Sequence, residues 1–253
     1  MRFLYVEDSV FPEARNWAER LAKTMEREFE VVSADKLNSS PKVWGGASPR
    51  RNGESGFRLE GQPLARWSMD DLDADFLFYA TASRRRSIQH WLNISRELRI
   101  PYIFLTPQMR FPAESVLANV LAPVTMLEEE VHKAELLSHL ARYTDTAITL
   151  LTAHDYGSRA RTNTGKIRTF LESRQADLGK QFVIHEQTAK ADSMALYKEV
   201  PAVRDCDLIV WTASRDYGLD DLIFGPAEQK LILHSVVPVA LLNPRGDLYS
   251  LCD

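Results

Sequence analysis

Arg84-Arg85-Arg86-Ser87 is the stretch whose residue types most directly suggest chemistry. Three guanidinium groups ahead of a serine that could cap a helix would make an anion site. The arginines would clamp the anion, and the helix N-terminus would add partial positive charge. A solvated charge run is the plainer reading of the same residues. Arg50, Arg51, Arg58 and Arg66 extend the run into a locally basic face. No recognised nucleic-acid module accompanies it, so nucleic acid is not expected as a partner. Thr164-Gly165-Lys166 resembles the end of a phosphate loop but fails as one. Ile167 stands where Ser or Thr must follow the lysine, and no glycine lies five residues before Gly165. His132 and His139 share a helix face, but a metal site needs closer partners and a third ligand, so no metal is expected. Asp216, Asp220 and Asp221 read as a solvated acidic loop, and His234 as a packing or capping residue. There is no G-x-S-x-G elbow, and no catalytic residue is assigned.

These residues need a scaffold, and the apolar pattern supplies one. Phe3–Val6, Phe29–Ser33, Asp75–Thr81 and Pro101–Leu105 read as strands in the first part of the chain. Val120–Val124, Ala147–Ala153, Phe182–His185, Leu208–Trp211 and Pro238–Leu242 read as strands in the second. Between them lie helical patterns at Pro12–Phe29, Ser87–Arg99, Leu127–Tyr143, Thr162–Ala176, Asp192–Val203 and Ala227–Ser235. Ser9, Thr162 or Asn163, and Asp192 are candidate caps. Alternation of helices with fully apolar strands predicts an α/β fold with parallel sheets. Residues 38–68 are rich in Gly, Pro, Ser and Asn and read as a long loop, with a short strand near Phe57–Leu59.

Bulk properties narrow the function classes. The chain has 253 residues, 45% hydrophobic and 26% charged, with a net charge of −4. That charge is too small to argue for nucleic acid or an anionic membrane as the main partner. Cys206 and Cys252 are too few for a disulfide framework, so a reducing cytoplasm is expected. No apolar run approaches the roughly 18 residues of a membrane span, and Phe3–Val6 is too short for a signal-peptide core.

The two parts of the chain share a rhythm. Each ends with a helix running into an X-Pro-led strand and a second proline, ELRIPYIFLTP in one and LHSVVPVALLNP in the other. That points to an internal repeat of one domain. Residues 119–245 resemble a universal stress protein domain. The resemblance rests on NVLAPVTMLEEEVHKAELLSHLA, AITLLTAH and CDLIVWTASRDYGLDDLIFGPAEQKLILHSVVPVALLNPR. Residues 1–107 resemble a diverged, shortened second copy. The resemblance implies two tandem five-stranded parallel-sheet sandwiches, adenine nucleotide alpha-hydrolase-like, of order 3-2-1-4-5. Their boundaries would be 1–107 and 119–253, with 108–118 as linker. It also implies an intrachain pseudo-dimer in which Tyr102–Leu105 and Val239–Leu242 meet antiparallel. A further homodimer is left open, and no protein partner is named.

ATP-binding members of that family carry Gly-x2-Gly-x9-Gly-Ser/Thr between the fourth strand and fourth helix. Here the pattern falls on Thr212, Arg215, Gly225 and Pro226, of which only Gly225 matches. Side chains stand where backbone must approach phosphate, and Pro226 removes a donor. The adenine-contacting Asp matches Thr125 in the second copy and Asp8 in the first, while Thr81–Arg86 contains no glycine. A nucleotide-like pocket would therefore be lined by Thr125, Ala153, Thr212, Arg215, Gly225, Pro226 and Ala227. A ligand or anion site in the first copy would use Asp8, Arg84, Arg85, Arg86 and Ser87. No cofactor is assigned, and ATP is not expected by the familiar route. The function expected is that of a non-catalytic stress-response or regulatory protein. The alternative is an ATP- or AMP-binding protein with slow ATP hydrolysis.

Overall fold

The structure is a computed structural model. It describes residues 2–34, 74–96, 98, 100–112, 116–155, 157–200, 205–214 and 225–244. The expected loop at 38–68 and its short strand lie outside them, as do Arg50, Arg51, Arg58, Arg66, Arg215, Asp216, Asp220, Asp221 and Cys252.

The strands are β1 (Arg2–Glu7), β2 (Glu28–Ser33), β3 (Ala74–Ala80), β4 (Tyr102–Leu105), β5 (Asn119–Val124), β6 (Ala147–Thr152), β7 (Ile184–Thr188), β8 (Leu208–Thr212) and β9 (Val239–Leu242). The helices are α1 (Pro12–Thr24), α2 (Arg85–Ser95), α3 (Lys133–Tyr143), α4 (Arg159–Leu178), α5 (Leu196–Glu199) and α6 (Ala227–His234). A 3-10 turn, Glu128–His132, leads into α3. The strands form one nine-stranded sheet in the order β2-β1-β3-β4-β9-β8-β5-β6-β7. Every pairing is parallel except β4 with β9, where Val239 lies opposite Phe104 and Leu241 opposite Tyr102. The two X-Pro-led strands expected to meet antiparallel do meet that way.

Burial follows the order. β3, β4, β8 and β9 are interior strands and buried throughout. The edge strand β7, IHEQT, is almost wholly exposed, and β2 carries Glu28 and Glu30 on the opposite edge. Charge on an edge discourages pairing with another chain. Two cores form, one per face of the sheet. Trp17, Leu21, Leu136, Leu140, Ile167 and Leu171 place α1, α3 and α4 over one face. Ile88, Trp91, Leu196, Leu231 and Ile232 place α2, α5 and α6 over the other.

Helix boundaries correct several capping expectations. Ser9 does not cap α1; Phe11 occupies that position and Pro12, with its preset φ, begins the helix. Ser87 does not cap α2. It is the third helical residue, because Arg84 already has the extended conformation of a cap (φ −124°, ψ 135°). Thr162 and Asn163 lie inside α4, which begins after Ser158. Asp192 does not cap α5 either: Ala195 holds the cap position with no side-chain bond, and Asp192 Oδ1 accepts from the amides of Met194 and Ala195 in the turn before the helix. The third strand of the second part runs Ile184–Thr188 rather than starting at Phe182. The segment after β4 is more than a loose connection. Met109 and Leu117 are buried, Trp17 donates to the Val116 carbonyl at 2.9 Å, and the Arg110 amide donates to the Val236 carbonyl at 2.7 Å.

Candidate functional site

In parallel α/β sheets, ligands bind outside the carboxyl ends of the strands where the chain reverses its order of strand addition. Here β5 has β8 on one side and β6 on the other. Thr125, Ala153 and Thr212 directly follow or end these three adjacent strands, so the sheet gathers them at one place. All three are buried. The Thr212 hydroxyl has no hydrogen-bond partner among the described residues.

Most of the polar chemistry there is committed to the protein itself. The Thr125 hydroxyl donates to Glu130 Oε1 at 2.7 Å. Glu130 pairs with Lys133, whose ammonium also donates to the Pro123 carbonyl. Burial pushes the Lys133 ammonium below its ordinary pKa, and Glu130 pulls the other way. Asn163 Nδ2 ties down the loop after β5 by donating to the carbonyls of Thr125 (3.0 Å) and Leu127 (2.7 Å). Across the mouth, Ser193 donates to Asp155 from both its amide and its hydroxyl.

The phosphate side is filled in the same way. Gly225 has φ +79°, and Pro226 precedes the first turn of α6. Glu228 in that turn is fully buried. It accepts from the Ser214 amide at 3.2 Å and the Ser214 hydroxyl at 2.8 Å. A carboxylate thus sits in the first turn of the helix, where partial positive charge would otherwise favour an external anion. Gln229 occupies the space over Gly225, since a Cβ there would lie 2.0 Å from Gln229 Oε1 and 3.2 Å from Arg85 Nη2. Replacing Gly225 by Ala is expected to cost roughly 1–3 kcal/mol, read as a lowered denaturation midpoint. A change below about 0.5 kcal/mol would contradict the packing described.

The two candidate sites, separate in the sequence, meet here. Arg85 Nε donates to Gln229 Oε1 at 3.1 Å, and Gln229 Nε2 donates to the Arg85 carbonyl and to Gln89 Oε1. Pairing of β4 with β9 sets α2 against α6 and carries Arg85 to the glycine of the other half. Arg84, Arg85 and Arg86 are exposed, and Ser87 is half-buried. In the first half the Thr81 hydroxyl donates to Asp8 Oδ2 at 2.7 Å, closing the end of β1 against β3.

Other expectations resolve simply. Thr164-Gly165-Lys166 lies inside α4, and the Thr164 hydroxyl bonds Thr152 at 2.8 Å. No cluster of three or more metal-binding side chains exists among the described residues. Burial pushes the Cys206 thiol up to about 12, which disfavours the thiolate. Sequence reasoning missed Glu130, Lys133, Asn163, Glu228 and Gln229. Only Asn163 carried a usable signal, because it lies on the Ala160–Ile167–Leu171 stripe that faces the core.

Solved structures place this architecture. A universal stress protein from Archaeoglobus fulgidus DSM 4304 matches with TM-score 0.54 at 13% identity, over 98% of this chain and 88% of that one. The fold is universal stress protein-like. A functionally unknown protein from Pseudomonas aeruginosa PAO1 matches with TM-score 0.52 at 15% identity, over 98% of this chain and 94% of that one. No family model and no curated protein matches the sequence. Among the described residues, no helix of this universal stress protein-like fold is long and apolar enough to cross a membrane.

Proposed function

We propose that this chain is a tandem universal stress protein-like regulator. On this reading, two copies at 1–107 and 119–253 are joined by 108–118 and pair as an intrachain pseudo-dimer through β4 and β9. It acts through protein contacts or a small ligand rather than by catalysis, and its nucleotide cleft is degenerate. One observation carries the reading: the phosphate side of the cleft is packed with the protein's own groups. Glu228 takes the donors of Ser214, and Gln229 with Arg85 covers Gly225. A buried carboxylate there repels a phosphate chain, and desolvating both would cost more than the helix dipole returns.

The tandem part of the reading is supported by the sheet order on either side of the β4–β9 pairing. After that pairing the strands run β9-β8-β5-β6-β7, the 3-2-1-4-5 order read from its far end. Before it they run β2-β1-β3-β4, the same order lacking one strand. Native mass spectrometry of the purified chain tests the proposal. The expected spectrum contains protein without co-purified nucleotide. A stoichiometric adenine nucleotide adduct would replace this reading with an ATP- or AMP-binding one.

A further inference from the structure

The two halves also meet on the α1–α3 face of the sheet, around a histidine that the cleft does not use. His139 on α3 stacks on Phe76 of β3 at 6.4 Å between centroids. Its edge meets Tyr143 at 5.4 Å. Its Nε2 is buried and has no hydrogen-bond partner among the described residues. The Tyr143 ring in turn lies against two guanidinium groups, Arg27 at 5.4 Å and Arg142 at 5.5 Å.

The position of Arg27 is fixed by the end of α1. Glu26 adopts a left-handed φ of 57°, the Glu26 amide bonds the Lys23 carbonyl, and the Arg27 amide bonds the Ala22 carbonyl at 2.8 Å. This is a Schellman closure, normally made with glycine. It aims Arg27 Nε at Asp75 Oδ2, 2.6 Å away and buried at the start of β3. The charged groups around His139 are therefore Arg27 after α1, Asp75 on β3, and Arg142 on its own helix. Glu135, a turn earlier on α3, is exposed. Asp75, the buried carboxylate near His139 among the described residues, already serves Arg27.

We propose that His139 is a one-proton acid switch on this contact: protonation sets a third cation beside Arg27 and Arg142 and loosens α3 from the Arg27–Asp75 corner. Burial, then Arg27 and Arg142, hold the imidazole down to about 4. The folded value lies below the ordinary unfolded one of about 6.5, so folding favours the neutral ring. The contribution is complete above about pH 6.5 and is lost as pH falls toward about 4. At pH 5 the folding equilibrium constant should be about 30-fold lower than if the residue did not titrate.

The test uses the full chain in two measurements. An NMR titration of the His139 ring should show a midpoint well below that of an exposed histidine. Denaturant unfolding from pH 7.5 to pH 5, comparing wild type with His139→Phe, should show the acid loss in wild type only. Hydrogen exchange in 140–147 and 74–78 should rise with acid in wild type and not in the variant. An ordinary His139 midpoint near 6.5, or an identical pH dependence in the two proteins, would overturn the proposal. Should His139→Phe fail to fold, the ring titration of wild type decides alone.

Discussion

Replacing Lys133 by methionine is expected to destabilise the folded chain by about 3–5 kcal/mol. Lys133 and Glu130 are 1% and 2% exposed, and their charges meet at the carboxyl end of β5. Removing the ammonium leaves Glu130 charged and buried, with only the Thr125 hydroxyl donating to it among the described residues. It also strips the Pro123 carbonyl of a donor. A methionine fills the volume, so the loss is electrostatic rather than a cavity. Changing Glu130→Leu together with Lys133→Met should cost clearly less than Lys133→Met alone, because no buried charge is then unpaired. Guanidinium denaturation of the three proteins checks this. Equal costs for the single and double variants would show that packing, not charge pairing, holds this corner.

The second large effect lies at the seam. Asn243 follows β9, yet its amide serves the other half of the chain. Nδ2 donates to the Ser95 carbonyl at 2.8 Å and the Leu98 carbonyl at 2.6 Å, and Oδ1 accepts from the Tyr102 hydroxyl at 3.2 Å. Ser95 ends α2 and Leu98 lies three residues beyond it, where carbonyls lack helical partners; the Ser95 carbonyl also accepts from the Leu98 amide at 3.0 Å. Asn243 is 3% exposed, so water does not replace it. Asn243→Ala should cost about 1–3 kcal/mol, since the Leu98 carbonyl loses its side-chain donor and the Ser95 carbonyl keeps only the Leu98 amide. Asn243→Asp should be at least as damaging, because a carboxylate cannot donate and would face two carbonyl oxygens. An aspartate variant as stable as wild type would refute this assignment of the hydrogen bonds.

How much of this was legible in the sequence depended on whether the cause was local. The apolar runs marked the strands because interior parallel strands are buried on both faces. The matching X-Pro-led runs at 101–105 and 238–242 foretold which strands would meet. Thr125, Ala153 and Thr212 could be placed together because each ends one of three neighbouring strands. Contacts that cross the seam were not legible. Arg85 reaches Gln229, 144 positions away, only because β4 and β9 pair. The capping errors at Ser9 and Ser87 share one cause: both have the right chemistry, but Pro12 and the extended backbone of Arg84 set the helix starts. Met109 and Leu117, in the segment expected to be a linker, are buried.

On the proposed function, Glu228, Gln229 and Arg85 close the cleft at the ends of β5, β6 and β8 to a triphosphate. Equilibrium titration of the purified chain with labelled ATP and magnesium tests it most directly. The account predicts no saturable binding below about 1 mM, less than ~4 kcal/mol of binding free energy. Stoichiometric saturation with a micromolar Kd would contradict it.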